Sequence, residues 1–295
     1  MGSQKVAFVT GASRGIGRAI ALDLAQHGFH VAAAARSVDH SVVDWAGTVE
    51  ETCESVREFG RRGLPVELDL TQPDDVRRAV ASVMDEFGRI DVLVTSATNI
   101  DFSPDGTYLN EFVATSWEAL ERHIQVNITS SMLLLHLVLP VMYAQHSGIV
   151  MSVTQASAWL DFPDLPMPGQ GICGMAIPVT RGVTDRLAPA LRREVAPHGV
   201  TVLTFDPGMT ISNAPERYRD TLKAGYLPEM AHSVVVPARA ATYIATCPDP
   251  SVYNGAFVSA LDLVRDHKLL TEAEILPDWR LGVQEVTSVA PLSAT

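Results

Sequence analysis

Strand-length apolar runs alternate with helical periods along this chain, and that alternation constrains the fold more than any other feature. Residues 6–10, 30–35 and 149–153 are apolar almost throughout, rather than at every second position. Strands of this kind are buried on both faces, as happens in parallel sheets that helices cover on both sides. We therefore predict an α/β fold: a single doubly wound Rossmann-type domain with a central parallel sheet flanked by helices.

The remaining elements continue the alternation. Further strands are predicted at residues 64–68, 90–95, 200–205 and 255–258, and helices at residues 15–27, 46–60, 73–87, 117–145 and 179–196. Pro189 should kink the last of these helices unless the helix breaks nearby. Three long irregular segments, residues 100–116, 156–177 and 209–234, each follow a strand, at the edge where open α/β sheets bind ligands.

Charge and composition exclude several classes of partner. The chain has 22 Lys and Arg against 34 Asp and Glu, a net charge of −12, which argues against binding to a nucleic-acid backbone. Its three cysteines are odd in number and far apart, so we expect no disulfide framework and no metal site. The longest apolar run, near residues 132–142, contains His136 and Pro140 and is too short to cross a bilayer. We expect a cytoplasmic protein with no membrane partner.

A glycine-rich turn joins the first strand to the first helix. Residues 10–17 read Thr-Gly-Ala-Ser-Arg-Gly-Ile-Gly. Glycine lets the backbone turn tightly and approach a pyrophosphate, and the helix that follows presents free N–H groups and the positive end of its dipole. In this strand–turn–helix context the pattern predicts a dinucleotide site; the alternative is a tight turn that binds no ligand.

The end of the second strand indicates which dinucleotide. The strand ends Ala34-Ala35-Arg36-Ser37, with no acidic residue to bind a ribose 2′-hydroxyl. Arg14 and Arg36 can together hold a 2′-phosphate, because a guanidinium forks onto phosphate oxygens. We predict NADP(H) rather than NAD(H); the alternative is that both arginines are solvated surface charges.

The octet at residues 10–17 closely resembles the signature of the short-chain dehydrogenase/reductase family, and the resemblance continues over roughly residues 3–262. Further matches are Leu68-Asp69-Leu70, Asn127, residues 149–154, residues 194–200 and Asp206-Pro207-Gly208. The resemblance implies an NADP-binding and catalytic domain over residues 1–270, followed by a C-terminal extension at residues 271–295. It also implies a homodimer or homotetramer that pairs through the helices at residues 117–145 and 179–196.

The resemblance also assigns site residues. Asp69 and Leu70 correspond to the adenine contact, Asn127 to the structural and catalytic Asn, and Thr154 to the catalytic hydroxyl, with Ser152 as the alternative. The cofactor-binding residues predicted in this way and from the turn are Gly11, Ser13, Arg14, Gly15, Ile16, Gly17, Arg36, Ser37, Asp69, Leu70, Ala97, Arg181, Pro207, Gly208 and Met209.

One family feature has no counterpart in this chain. Reductases of the family use a Tyr-x-x-x-Lys pair, and counting back from Glu194 by the usual spacing places its members at Ile177 and Arg181. The only lysines are Lys5, Lys223 and Lys268, and no tyrosine lies between Tyr143 and Tyr218. We therefore predict that the pair is absent, with Ile177 at the position of the missing Tyr.

The missing phenol changes the expected chemistry. Hydride transfer to a neutral ketone builds charge on oxygen and requires an acid or a charge-stabilising group. Ile177 carries no acidic proton, and Arg181 keeps its charge without deprotonating. Three alternatives stay open: the substrate is an already cationic iminium, another group supplies the proton, or redox chemistry has been lost. Among the candidate donors (Asp161, Asp164, Cys173 and a water on Thr154), a buried Asp such as Asp164 is favoured.

The long segment after Thr154 is apolar and rich in proline. It is typical of a lid over a hydrophobic pocket, which favours a small apolar substrate, or of a segment packed between subunits. The predicted function is an NADP(H)-dependent oxidoreductase with non-standard proton transfer that reduces an activated C=N or C=O bond. The alternatives are a non-redox isomerase, cyclase or lyase, or a catalytically silent cofactor-binding protein.

Overall fold

The computed structural model describes residues 4–38, 47–99, 112–155, 176–210 and 231–276. The strands are β1 (Val6–Thr10), β2 (His30–Ala35), β3 (Gly63–Glu67), β4 (Val92–Thr95), β5 (Gly148–Val153), β6 (Val200–Asp206), β7 (Met209–Thr210), β8 (Ala231–His232) and β9 (Phe257–Ser259). The α-helices are α1 (Gly15–Gln26), α2 (Val49–Glu58), α3 (Pro73–Phe87), α4 (Trp117–Ile124), α5 (Ser130–Gln145), α6 (Ala176–Asp185), α7 (Leu187–Val195), α8 (Val235–Thr246), α9 (Ala260–Asp266) and α10 (Glu272–Ile275).

Seven strands form one parallel sheet in the order β3-β2-β1-β4-β5-β6-β9. Helices cover both faces, and the predicted fold class is confirmed. The strand order reverses between β1 and β4, where Ala7 is level with Val92 in the register. In doubly wound sheets this reversal opens a crevice at the carboxyl ends of the two strands, because the connections leave toward opposite sides.

The apolar strands explain why two cores form. Consecutive strand residues point to opposite faces, so a continuously apolar strand supplies both. On one face Val9, Met151 and Phe205 pack with α1, α2 and α8. On the other, Phe8 and Val150 pack with α3, α5 and α7.

The two longest predicted helices are both interrupted. The stretch at residues 117–145 is helical throughout, but residues Gln125–Thr129 form a π-helical turn between α4 and α5. The predicted helix at residues 179–196 breaks between Asp185 and Leu187, so Pro189 falls in the first turn of α7, where its missing N–H removes no helical hydrogen bond.

Helix Trp117–Gln145 is long and apolar enough to cross a membrane by length and composition, a test that core helices of other proteins also pass. Leu134, Val138 and Met142 of this stretch are buried against the sheet.

At the C-terminal end of the described residues, the first part of the predicted extension forms α10. Ile275 is buried there, and its carbonyl accepts a hydrogen bond from the Ser233 N–H (2.9 Å).

Candidate active site

A cleft opens at the carboxyl ends of β1, β2, β3 and β4, at the reversal of strand order. It holds about 1070 Å³ of empty space, its open mouth included. It is lined by Thr10, Gly11, Ser13, Arg14, Gly15, Ile16, Gly17, Ala34, Ala35, Arg36, Ser37, Leu68, Asp69, Leu70, Thr71, Ser96, Ala97, Thr98, Asn99, Arg122 and Val126. Eleven of the residues predicted to bind the cofactor are therefore brought together in one place.

Close backbone contacts shape the glycine turn. Gly11 has a φ of +68°, and a Cβ added there would lie 2.8 Å from the Cα of Ala97. The turn after β1 is thus packed directly against the turn after β4. The Ala12 N–H donates to the Ala34 carbonyl (3.2 Å), and the Thr52 hydroxyl donates to the Ala12 carbonyl (2.8 Å), which fixes the turn to β2 and α2.

Helix α1 begins at this turn with its N–H groups toward the cleft. Arg14 is the N-cap residue, its backbone is extended, and no side chain among the described residues caps the helix. The first turn also carries no acidic residue. An uncapped helix N-terminus with a positive dipole end is suited to an anion such as a pyrophosphate.

The cleft is positively charged although the whole chain is acidic. Its ionisable lining residues are Arg14, Arg36, Arg122 and Asp69. Burial lowers the pKa of Arg14, and the neighbouring charge of Arg36 lowers it further. Two guanidinium groups close enough to repel each other favour an anion between them, which a 2′-phosphate would supply.

Polar groups in the turns after β3 and β4 also favour a phosphorylated ligand. Asp69 accepts hydrogen bonds from the Thr71 N–H (2.9 Å) and hydroxyl (2.8 Å), which shapes the turn after β3. Asn99 is 7% exposed, and its buried Nδ2 has no hydrogen-bond partner among the described residues. A buried amide donor without a partner costs free energy unless a ligand accepts from it. The charges and this donor fit a phosphorylated dinucleotide.

Asn127 connects the cleft to the next part of the site. It is fully buried in the π-helical turn; its Oδ1 accepts from the Thr98 hydroxyl (3.2 Å), and its Nδ2 donates to the Thr180 hydroxyl (2.9 Å). Turns of π-helix inside α-helices are often found at functional sites. Asn127 thus joins the loop after β4 to helix α6.

Arg181 reaches the carboxyl ends of β5 and β4. Its guanidinium donates to the carbonyls of Val153 (2.7 Å) and Ala97 (3.3 Å). Burial lowers the pKa of Arg181 to about 10, against the opposing effect of Asp185, so the side chain is cationic at neutral pH. Ile177 lies one helical turn earlier in α6 and is 3% exposed.

Thr154 directly follows β5. Its N–H donates to the Phe205 carbonyl (2.8 Å), and its hydroxyl is buried with no hydrogen-bond partner of normal geometry among the described residues. The carboxylate of Asp206, at the end of β6, accepts from the Gly208 N–H (3.0 Å). Gly208 has a φ of +71° and lies against the ring of buried His232.

Some predicted residues lie away from the cleft or outside the described residues. Pro207, Gly208 and Met209 follow β6, two strands from the reversal, and Arg181 reaches the cleft only through the Ala97 carbonyl. Asp161, Asp164, Cys173 and the apolar insertion fall within residues 156–175, outside the described part of the chain.

Sequence reasoning did not assign several residues of the site, among them Asn99, Arg122, Val126 and Asp185. Arg122 and Val126 line the cleft from the helix opposite the glycine turn. They are four residues apart, so they share one helix face, and that shared face was the only available signal. Asp185, four residues after Arg181, lies near the Thr154 hydroxyl, a proximity that depends on how α6 packs on the sheet.

Comparison with known proteins agrees with this geometry. The family model for short chain dehydrogenases matches residues 5–167, more than half of the chain. The short-chain dehydrogenase/reductase eriH of Hericium erinaceus is 30% identical over 229 residues, covering 76% of this chain and 83% of that protein. The 3-oxoacyl-[acyl-carrier-protein] reductase FabG of Staphylococcus epidermidis is 29% identical over 222 residues, covering 74% of this chain and 80% of that protein.

Solved structures share the fold. A short-chain type dehydrogenase/reductase from Mycobacterium marinum superposes with a TM-score of 0.73 at 24% identity, covering 87% of this chain and 94% of that one. A metagenomic short-chain oxidoreductase in complex with NADP gives 0.67 at 23% identity, covering 86% and 95%. The family match and the relatives together establish that this chain is an oxidoreductase-type enzyme and belongs to the short-chain dehydrogenase/reductase family.

Proposed function

We propose that this protein is an NADP(H)-dependent oxidoreductase that transfers hydride without the family's Tyr–Lys pair. Its preferred substrates are apolar molecules with an activated C=N or C=O bond. The observation that carries the proposal is the arrangement of α6: Arg181 reaches the ends of β4 and β5, while the residue one turn earlier is Ile177.

The cofactor is held by the cleft at the end of β1. The N-terminus of α1 suits the pyrophosphate, and Arg14 and Arg36 suit the 2′-phosphate. Asp69 and Leu70 line the cleft after β3, which supports the adenine contact that the family resemblance implies. When bound, the reduced nicotinamide supplies a hydride. The relative solved with NADP supports this choice of cofactor.

The second part of the site stabilises charge rather than supplying a phenolic proton. The guanidinium of Arg181 is buried and cationic, so it stabilises negative charge that develops on the substrate heteroatom as hydride arrives. An iminium substrate needs less help still, because accepting hydride neutralises its own charge. A neutral ketone needs a proton as well, because a positioned acid typically contributes about 10²–10⁴-fold, and that proton must come from a group other than a phenol.

The proposal extends to assembly and location. Apolar side chains are exposed on the helices that would pair two copies: Trp117 is 62% exposed, Met132 53% and Val179 54%. A homodimer or homotetramer that packs these helices together would bury them. We place the protein in the cytoplasm and assign it no nucleic-acid or membrane partner.

A binding and turnover experiment tests the function. Fluorescence titration should show NADPH binding at least tenfold more tightly than NADH. Loss of reduced-nicotinamide absorbance should then be faster with cyclic imines than with ketones of matched size. Substrate conversion with bound but unoxidised NADPH would indicate instead a non-redox isomerase, cyclase or lyase. Binding with no conversion of any substrate would indicate a silent cofactor-binding protein.

A further inference from the structure

One face of the sheet carries a row of polar residues beneath α6. Ser152 is level with Thr204 in the register of β5 and β6. Because side chains alternate, Thr154 and Asp206 lie on the same face as these two, opposite the face of the intervening Val153. Helix α6 crosses that row, since the Thr204 hydroxyl donates to the Asp185 backbone carbonyl (3.3 Å) and Arg181 donates to the Val153 carbonyl.

Two polar groups, one on α6 and one in this row, have no hydrogen-bond partner among the described residues. Both carboxylate oxygens of Asp185 are shielded from solvent and have no hydrogen-bond partner among the described residues. The same is true of the Thr154 hydroxyl. The two groups lie close enough for the hydroxyl to act electrostatically on the carboxyl, although no hydrogen bond of normal geometry joins them. A small movement of either side chain, or a bound substrate, would complete a hydrogen bond between the Thr154 hydroxyl and the Asp185 carboxyl.

The surroundings favour a carboxyl that holds its proton. Burial raises the pKa of Asp185, and the nearby Asp206 carboxylate on β6 raises it further. The Thr154 hydroxyl on β5 and the Arg181 guanidinium on α6 act in the opposite direction, without reversing the shift. A carboxyl that is neutral at higher pH than usual can act as an acid.

We propose that Asp185 replaces the missing phenol as the source of the proton and delivers it through the Thr154 hydroxyl. As hydride adds to the substrate carbon, the π-electron pair of the C=O or C=N bond moves to the heteroatom. The heteroatom takes the Thr154 hydroxyl proton, and the Thr154 oxygen takes the proton of Asp185. The carboxylate left behind is reprotonated by solvent, so one proton and one hydride are consumed for each neutral C=O or C=N substrate; a cationic iminium consumes the hydride alone. This role rests on the proposed function.

The first test uses the protein without cofactor or substrate. Between the pKa of an unfolded aspartate and the raised folded pKa, the folded state keeps a proton that the unfolded state loses, so its stability falls as pH rises. Asp185→Asn removes that dependence. In urea unfolding across this range, the stability of Asp185→Asn relative to the wild type should rise with pH. The expected rise is about tenfold in the folding equilibrium constant for each unit of the pKa shift.

The matched control is Asp85→Asn, which changes an exposed aspartate in the last turn of α3. It should leave the pH dependence unchanged. Infrared spectra of the wild type minus Asp185→Asn should contain the band of a protonated carboxyl that persists above the normal aspartate range. Its absence, together with parallel unfolding curves, would overturn the proposal whatever the enzyme does.

The second test follows turnover with NADPH and an active substrate. Asp185→Asn and Thr154→Val should each lower the rate by about 10²–10⁴-fold, with NADPH affinity unchanged. Asp185→Glu and Thr154→Ser should restore part of it, and the wild-type rate should fall as pH rises through the raised pKa. Full activity of Asp185→Asn with an unaltered pH profile would refute the relay alone. No wild-type turnover with any substrate would refute both the relay and the proposed function.

Discussion

The two halves of the site differ in what defines them. The cleft at β1 to β4 is shaped by backbone: a left-handed glycine packed on Ala97, an uncapped helix terminus and a turn after β3. The half under α6 is defined by a few side chains, namely Arg181, Thr154 and Asp185. The first half follows the family pattern, and we propose that the second departs from it at the Tyr–Lys pair. Cofactor binding that depends on backbone tolerates replacement of the residues that carry out the chemistry.

The strongest test of this difference is to introduce the family's Tyr and Lys into the half under α6. Ile177→Tyr with Arg181→Lys should raise ketone reduction by about tenfold or more, because a phenol beside an ammonium donates its proton to the substrate directly rather than through the Thr154 hydroxyl. Initial rates of NADPH oxidation with a ketone panel would measure the gain.

The matched control for that experiment is Ile177→Phe with Arg181→Lys, which introduces the ring without the hydroxyl. It should gain nothing. Equal rates for the two double variants would mean that Ile177 does not occupy the position of the missing Tyr, or that Lys cannot replace the two backbone contacts of Arg181.

In the first half the largest effect should come from the backbone. Gly11→Ala introduces a Cβ at a positive φ and against the Ala97 backbone, so we expect a loss of about 2–5 kcal/mol in unfolding free energy. NADPH binding should be lost with it, as measured by denaturant unfolding and fluorescence titration.

Gly60→Ala separates crowding from conformational strain. Gly60 also has a positive φ (+72°), but a Cβ there would meet nothing within 4 Å. The expected loss is about 1–2 kcal/mol, with NADPH affinity unchanged. If the two variants proved equally stable, the close contact between the turns after β1 and β4 would not matter for the cleft.

A smaller effect tests the charge of the cleft. Arg36→Ala should weaken NADPH binding by about 10- to 100-fold and leave NADH binding nearly unchanged, because only the 2′-phosphate is lost as a partner. Arg18→Ala removes a charge from the same end of α1, where the guanidinium contacts Ser55 outside the cleft lining (3.4 Å). Isothermal titration with both nucleotides should show that only the Arg36 variant changes specificity.

The last prediction concerns the link between the halves. Asn127→Ala removes hydrogen bonds to Thr98 and Thr180 and should lower unfolding free energy by about 1–3 kcal/mol. Thr98→Val removes only the contact with the cleft side and should cost less, about 0.5–1.5 kcal/mol. Equal stability of Asn127→Ala and wild type in urea would show that the halves are not coupled through this residue.

Local patterns made much of the first half predictable from sequence. A continuously apolar strand, a glycine turn and an amphipathic helix are neighbours in the chain, so their periods and spacing identify residues 6–26 without tertiary information. Helix α8 was missed because it is buried on nearly every side and lacks a polar face. Pro189 indicated only that the helix would either kink or break nearby, and the position of the break after Asp185 was not predicted.

The second half depends on contacts that no local pattern encodes. Thr154 and Asp185 lie far apart in sequence, and their proximity follows from where α6 crosses β5 and β6. Arg122 lines the cleft from α4, and this position depends on how α4 packs beside the ends of the strands. Spacing rules assign positions within one element, whereas packing between elements decides which side chains meet.

The pairing of β7 with β8 has a consequence for engineering. Met209 is level with Ala231 and Thr210 with His232, so the two ends of the intervening segment lie side by side. A segment whose two junctions are adjacent can be exchanged as a cassette without redirecting the polypeptide. Exchanging the residues between these junctions is a route to variants that leave the lining of the nucleotide cleft unchanged.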